Sequence, residues 1–189
     1  MNIFIPIYEP FISDEEFDLV MDCMKSNWIS SKGKYVDMFE KEFSDYTKIK
    51  FSTTVVNGTL ALDLALSTLG ISNNDEVIIP SLGYIAAASS IHRSGAKIVF
   101  ADVNLNTLQI CKESVKEKIT SKTKAIIGIH NYGIPYDSLS INNLCKEFNI
   151  FHIEDCAEAL GSRLSNGQHV GNLSDISTFS FYGNKTVTA

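Results

Sequence analysis

The chain has 189 residues, of which 44% are hydrophobic and 20% charged, as is usual for a globular protein with one sizeable core. Its net charge of -6 and the lack of any Lys/Arg cluster argue against a nucleic-acid ligand. The four cysteines are far apart and form no Cys-x-x-Cys pair, so the sequence predicts buried reduced thiols and no metal site.

The sequence contains no segment that is typical of export or of membrane insertion. No basic region precedes the first apolar residues, so the N-terminus does not resemble a secretory signal. The longest uncharged stretch, residues 77–91, is interrupted by Pro80 and Gly83 and is too short to span a bilayer. We therefore expect a cytoplasmic protein that does not enter a membrane.

Two amphipathic helices are predicted in the first part of the chain. Ser13 and Glu16 have the spacing of a capping box, and apolar residues then recur at helical spacing up to residue 25. A loop at residues 28–33 separates this helix from a second one. The second helix has four apolar residues at helical spacing: Val36, Phe39, Phe43 and Tyr46. The simplest interpretation of the aromatic side chains in both helices is packing in the core.

From residue 53 onward, strand-like and helix-like stretches alternate. The predicted strands are residues 53–56, 77–79, 97–103, 124–129, 150–153 and 176–181. Helix patterns follow at residues 58–69, 84–94, 115–119 and 141–148, the last with Ile141, Leu144, Cys145 and Phe148 facing inward. Strands that are separated by helices predict an α/β fold whose sheet is mostly parallel, with right-handed crossovers.

The turn after the first predicted strand has features of a phosphate site. Open α/β sheets bind their ligands beyond the carboxyl ends of the strands. Gly58 and Thr59 at the start of a helix offer free N–H groups, a hydroxyl and the positive end of the helix dipole. Asn57 and Thr59 also cap helices well, so a plain N-cap explains the same residues.

Three further residues at strand ends suit a flat heterocycle. Tyr84 can lay its ring on such a group, although a core tyrosine is the alternative. Asp155 follows an apolar strand, where an unpaired carboxylate is costly, and a pyridinium nitrogen would give it a partner. Its alternative role is an N-cap. Glu158 lies three residues further on and can reach the same ring, or it is a capping or solvated glutamate.

The last predicted strand carries a serine and leads to a lysine. The hydroxyl of Ser180 can donate to a phosphate, and the amine of Lys185 can hold pyridoxal phosphate (PLP) as a Schiff base. A lone lysine is more often a surface residue. His130, His152 and His169 lack the spacing of metal ligands, so hydrogen-bonded structural histidines are the better interpretation.

Four motifs in this order resemble those of the DegT/DnrJ/EryC1/StrS sugar aminotransferases. They are Asn-Gly-Thr, Asp-Glu-Val-Ile-Ile-Pro, Glu-Asp-Cys-Ala-Glu-Ala-Leu-Gly and Ser-Phe-Tyr-Gly-Asn-Lys. The resemblance runs from about Pro6 to Thr188. Residues 28–33 and 183–186 are most similar to the perosamine synthase branch. The family resemblance implies a three-layer α/β/α fold of the PLP-dependent aspartate aminotransferase class, fold type I. Residues 1–52 would form an N-terminal helical segment and residues 53–189 part of the PLP-binding large domain.

The resemblance also implies a role for each candidate residue. The phosphate would be bound by Gly58, Thr59 and Ser180. The ring would be held by Tyr84, which stacks on it, by Asp155 at its nitrogen and by Glu158 near its oxygen. Lys185 would bind the cofactor covalently and move a proton during the reaction. That reaction is the transfer of an amino group, with glutamate as the implied donor, to a nucleotide-linked 4-keto-6-deoxy sugar. Such a reaction belongs to amino-sugar and O-antigen polysaccharide synthesis, and the complete enzyme is expected to be a homodimer.

The chain departs from the family pattern after the lysine. Family members continue with Thr-x-Thr-Thr-Gly-Glu-Gly-Gly, the rest of the large domain and a C-terminal small domain, whereas this chain reads Thr-Val-Thr-Ala. The added part includes an antiparallel strand between the strands at residues 53–56 and 176–181. We therefore expect the 189-residue chain not to transaminate by itself. The alternative is a non-catalytic module that pairs through its sheet edges with a full-length subunit.

Overall fold

A computed structural model describes residues 4–6 and 8–189. The α-helices of this part are α1 (Asp14–Ser26), α2 (Lys34–Thr47), α3 (Gly58–Thr68), α4 (Ala86–Ser94), α5 (Lys112–Lys118) and α6 (Ser138–Phe148). Its strands are β1 (Glu76–Pro80), β2 (Lys97–Ala101), β3 (Thr123–Ile129), β4 (Phe151–Asp155) and β5 (Ile176–Thr178). A short 3-10 turn, Asn131–Gly133, follows β3.

The five strands form one sheet in the order β2-β1-β3-β4-β5, and every neighbouring pair is parallel. Successive strand residues point to opposite faces of a sheet. Val77 and Ile79 accordingly pack against α3 and α4, and Ile78 between them packs against α5 and α6. β1 thus contributes to a core on each face of the sheet, and the predicted three-layer α/β/α arrangement is confirmed.

One predicted strand is wrong. Residues 53–56 form no ladder, and the side chains of Val55 and Val56 are 40% and 86% exposed. A strand needs a hydrogen-bonded neighbour, and β5 does not lie beside this segment. A groove of about 930 Å³ separates the two instead, and its walls include Val55, Val56 and Ile176.

Several predicted boundaries differ from the observed ones, and for β4 and β5 the structure shows the reason. β4 extends to Asp155, because residues 151–155 pair with β3 along its last five residues. β5 is shorter than predicted and ends at Thr178, since Phe179 and Phe181 turn away to pack edge-to-face on aromatic residues of α2. β2 ends at Ala101, and the fourth helix begins at residue 86. Phe148 is 40% exposed and was predicted to face inward.

Helix α1 forms as predicted, but it does not pack in the core. Glu16 completes the capping box by accepting the N–H of Ser13. Nevertheless α1 has no buried residue, and Phe17 and Val20 are each 61% exposed. Within the described residues the helix is tied to α2 through Asp22, which accepts a hydrogen bond from Tyr35 at 2.8 Å and pairs with Lys34. The core-packing interpretation of the aromatic side chains is therefore wrong for Phe17.

We expect a Leu66→Ala variant to lower the free energy of unfolding by about 2–5 kcal/mol, because Leu66 is fully buried between α3 and the sheet and its loss leaves a cavity. The matched control is Leu60→Ala in the same helix, whose side chain is 43% exposed. Urea unfolding followed by circular dichroism measures both. Equal losses from the two variants would contradict this account of the core.

Candidate active site

The predicted site residues collect at the carboxyl end of the parallel sheet. Asp155 is the last residue of β4, and Ser180 follows β5 by two residues. The N-terminus of α3 lies against Ser180, and Lys185 reaches back to the region of Asp155. The geometry therefore places residues from four parts of the sequence at one edge of the sheet, as the rule for open α/β sheets predicts.

The start of α3 and Ser180 form a small cradle. A Cβ atom at Gly58 would lie 3.1 Å from the Cβ of Ser180, a tight contact that the glycine avoids, so Ser180 packs close to the start of the helix. Asn57 caps the helix, since its Oδ1 accepts the N–H of Leu60 at 2.9 Å. The amides of Gly58 and Thr59 lie in the first turn, where N–H groups have no intrahelical acceptor. The N-cap interpretation is thus confirmed for Asn57 and leaves room for an anion beside it.

Asp155 is a nearly fully buried carboxylate, with 4% of its surface exposed. Its Oδ1 accepts the N–H of Ala157 at 3.1 Å, in a turn and not at the start of a helix. Burial raises the pKa of Asp155 to about 6, while the Ala157 amide and the ammonium of Lys185 act in the opposite direction. Such a carboxylate gains most from a partner that brings a proton or a positive charge.

Lys185 is paired and largely buried. Its Nζ lies 3.3 Å from Oε1 of Glu158, and the side chain is 15% exposed. The other carboxylate oxygen of Glu158 accepts the N–H of Tyr132 at 2.9 Å. The surface interpretation of the lysine is therefore wrong. Glu158 holds the amine and is itself held by the backbone, so it is neither a helix cap nor a free solvated residue.

Tyr84 lies close to the amine of Lys185. Its ring is 68% exposed, so it is not the core tyrosine of the alternative interpretation. The Nζ of Lys185 lies 5.8 Å from the centroid of the ring, within the range of a cation–π contact. An exposed aromatic face beside a lysine amine suits a flat ligand that the amine can attack.

The arrangement fits a phosphorylated, nitrogen-containing heterocycle with a carbonyl group. The Gly58–Ser180 cradle can take the phosphate, the Tyr84 ring can face the heterocycle, and Asp155 can pair with a protonated nitrogen. Lys185 has an amine for the carbonyl. Within residues 4–6 and 8–189, no group of three His, Cys, Asp or Glu side chains is placed to hold a metal ion. No helix of this part of the chain combines the length and apolar character needed to cross a bilayer.

Sequence reasoning missed two features of the site. Glu154 lies just before Asp155 and is fully buried, with its carboxylate bonded to His130, Ser138 and Ser174. The signal was available, because two carboxylates at the end of an apolar strand both need partners. The second feature is the backbone of Tyr132, whose φ of 57° turns its N–H toward Glu158. A backbone donor of this kind leaves no side-chain signal in a sequence.

Comparisons with known proteins show which family the chain is similar to. Residues 10–189 match the DegT/DnrJ/EryC1/StrS aminotransferase family. The chain is 49% identical over 185 residues to the GDP-perosamine synthases of Vibrio cholerae and of Escherichia coli O157:H7, which covers 98% of this chain and 50% of each relative. It therefore spans about half the length of the curated relatives it matches.

Solved structures show the same fold. The aminotransferase from Psychrobacter cryohalolentis superposes with a TM-score of 0.91 at 38% identity, covering 95% of this chain and 45% of that one. The Streptococcus pneumoniae protein Spr1654 in its PLP form gives a TM-score of 0.89 at 32% identity, covering 97% of this chain and 50% of that one. The predicted fold type I large domain is confirmed as a partial domain.

We expect an Asp155→Asn variant to gain stability relative to the parent chain as the pH rises. The folded-state pKa of Asp155, about 6, lies above the ordinary value of 3.8, so its ionisation costs the folded state free energy. The stability that the protonated form contributes is complete below the ordinary value and is lost as the pH rises through about 6. The difference between the two chains should therefore grow by roughly 2–3 kcal/mol from about pH 4 to about pH 7.

Urea unfolding of both chains over this pH range measures the effect. The difference between the chains is the informative quantity, because burial also lowers the pKa of His152 to about 4 and changes the parent's stability in the opposite direction. A difference that stays constant with pH would show that Asp155 ionises normally in the folded chain.

Proposed function

Because the chain belongs to the DegT/DnrJ/EryC1/StrS aminotransferase family, we propose that it is the cofactor-binding part of a PLP-dependent transaminase. The proposed amino acceptor is a nucleotide-linked 4-keto-6-deoxy sugar and the proposed donor is glutamate. The 49% identity to two GDP-perosamine synthases supports this class of sugar and a role in amino-sugar polysaccharide synthesis. The complete enzyme is proposed to be a cytoplasmic homodimer.

One observation carries the proposal: a largely buried lysine amine lies at the sheet end where a carboxylate is also buried. Lys185 is 15% exposed on its side chain, and Asp155 is 4% exposed. Desolvating charged groups is costly, and each of these two has few partners there: Glu158 for Lys185 and the Ala157 amide for Asp155. A pyridine ring between them, with its nitrogen on Asp155 and its carbonyl carbon at Lys185, would satisfy both.

Each residue then has a defined task. Gly58, Thr59 and Ser180 bind the phosphate through backbone amides and a hydroxyl. Asp155 would hold a proton at the ring nitrogen, and the resulting positive charge would stabilise its carboxylate. When bound, PLP supplies an electron sink for negative charge at the carbon that carries the amino group.

Proton transfer is the task of Lys185. Its Nζ would hold the cofactor covalently until the amino group of the donor displaces it, and the released amine would then take the proton from the α-carbon of the donor. Glu158 keeps this amine oriented through the 3.3 Å pair, and the Tyr132 amide keeps Glu158 in place. The sugar substrate and its nucleotide would then meet the amine at the exposed side of Tyr84.

We expect PLP to become attached to Lys185 and to no other lysine. The chain is mixed with PLP, reduced with borohydride and digested, and the modified peptide is identified by mass spectrometry. Lys185→Ala should abolish the attachment, whereas the control Lys122→Ala, an exposed lysine at the opposite end of the sheet, should keep it. Attachment that persists in Lys185→Ala would refute the proposed role.

We further expect the 189-residue chain alone not to form 2-oxoglutarate from glutamate, and measured turnover would overturn that expectation.

A second candidate function rests on the open edge of the sheet. Among the residues that the structure describes, strand β5 has a neighbour on one side only, and the groove beside it is lined largely by apolar side chains of α2, residues 51–56 and β5. An unpaired strand edge next to an apolar groove is suited to β-strand addition. On this hypothesis the chain is a non-catalytic module that accepts a strand from a full-length subunit.

Binding to a full-length relative, such as the GDP-perosamine synthase of Vibrio cholerae, tests this candidate. Val55→Lys puts a charge into the groove and should weaken co-sedimentation at least about tenfold, because a charge there would be buried by the added strand. The control is Leu105→Lys, whose side chain is 88% exposed and does not line the groove. Equal binding of both variants, or no binding by the parent chain, would rule the module out.

A further inference from the structure

Glu154 is a fully buried carboxylate that the proposed reaction does not use. It directly precedes Asp155 on β4, so the two side chains point to opposite faces of the sheet. Three side chains donate to it: Ser138 Oγ at 2.5 Å, His130 Nε2 at 3.2 Å and Ser174 Oγ at 3.0 Å. An isolated buried charge is costly, and a carboxylate that accepts three hydrogen bonds is not isolated.

The ionised form of this carboxylate is the stable one. Burial acts to raise the pKa of Glu154, but the hydrogen bonds from His130 and Ser138 outweigh it and lower the pKa to about 2. The carboxylate is therefore an acceptor on both oxygens throughout the physiological range. Only donors fit around it, which fixes the orientation of each group that it contacts.

The three donors belong to three different segments of the chain. His130 follows β3, Ser138 opens α6, and Ser174 precedes β5. The direction of the His130 ring is set from both sides. The N–H of Tyr136 donates to Nδ1 at 3.3 Å, so Nε2 bears the hydrogen that faces Glu154. The ring of Tyr136 also stacks on that of His130, with centroids 4.4 Å apart.

A continuous path leads from this carboxylate to the catalytic lysine. His130 donates its backbone N–H to the carbonyl of Asp155 at 3.1 Å and opens the turn Asn131–Gly133. Within that turn Tyr132 adopts a left-handed φ of 57°, which is unfavourable for a tyrosine unless its surroundings hold it. Its N–H donates to Glu158, and Glu158 pairs with Lys185.

We propose that Glu154 is a positioning residue for the active site: it anchors His130, and thereby the turn that holds Glu158 and Lys185 in place. This inference rests on the proposed function, because Lys185, the residue that the network orients, has its catalytic role only there. The anchoring itself is a property of the chain without cofactor. The two can therefore be tested separately.

The first test measures hydrogen exchange of the Tyr132 amide by NMR without cofactor. Glu154→Leu removes the acceptor, so exchange of this amide should become at least about tenfold faster. Glu154→Gln should stay within about threefold of the parent, since its oxygen still accepts from His130 and its amide can donate to Ser174 Oγ. The control is Glu76→Leu. Glu76 is another buried sheet glutamate, bonded to Lys97 and Thr120 at the amino end of β1, and its loss should leave Tyr132 unchanged.

The outcomes separate positioning from general destabilisation. Equal acceleration in Glu154→Leu and Glu76→Leu, or unchanged exchange in Glu154→Leu, would overturn the proposal. If Glu154→Leu does not fold, Ser138→Ala is measured instead. It removes the shortest of the three bonds, and exchange at Tyr132 should become about threefold faster. Unchanged exchange in that variant would equally count against the proposal.

The second test measures the affinity for PLP by titration of its absorbance. Glu154→Leu should weaken binding at least about tenfold, and Glu154→Gln should restore it to near the parent value, because the amide restores the hydrogen bonds. Binding that is weakened equally by Glu154→Gln would contradict a role through geometry. A parent chain that binds no PLP would refute the proposed function, while the exchange measurement would still decide whether Glu154 anchors the turn.

Discussion

The end of strand β4 is the constraint on which the site depends. Two neighbouring carboxylates are buried there on opposite faces of the sheet, and each requires its own partners. Glu154 finds three donors within the chain, whereas Asp155 has one backbone amide and a pKa raised by burial. Glu154 thus has three donors from this chain, and Asp155, with one backbone hydrogen bond, faces the space where the proposed cofactor would bind.

The same parallel sheet has an open side next to the site. Residues 53–56 and β5 stand apart across a groove, and α1 has an apolar surface without a cover among the described residues. The groove also borders the Gly58–Ser180 cradle, since both residues line it.

Much of the site was predictable because strand ends in a parallel sheet have a common edge. Asp155, Ser180, Lys185 and Gly58 lie together at that edge, as their positions after apolar strands and at a helix start indicate, and their roles toward a cofactor stay predictions. The strand predicted at residues 53–56 does not form. Its β-branched residues favour extended backbone, but a strand also needs a hydrogen-bonded neighbour. The exposure of α1 was missed for a similar reason. Periodicity identifies an apolar face but does not say what covers it.

The sequence by itself determined the elements, their alternation and the chemical type of each candidate residue, because these follow from local periodicity, caps and turns. Tertiary structure alone decided which groups are paired. The 3.3 Å contact of Lys185 with Glu158, the backbone donor of Tyr132 and the three bonds to Glu154 join segments far apart in the chain. Differences of a few tenths of an ångström in the donor–acceptor distance decide whether a hydrogen bond forms, and the spacing of residues along a sequence does not carry that information.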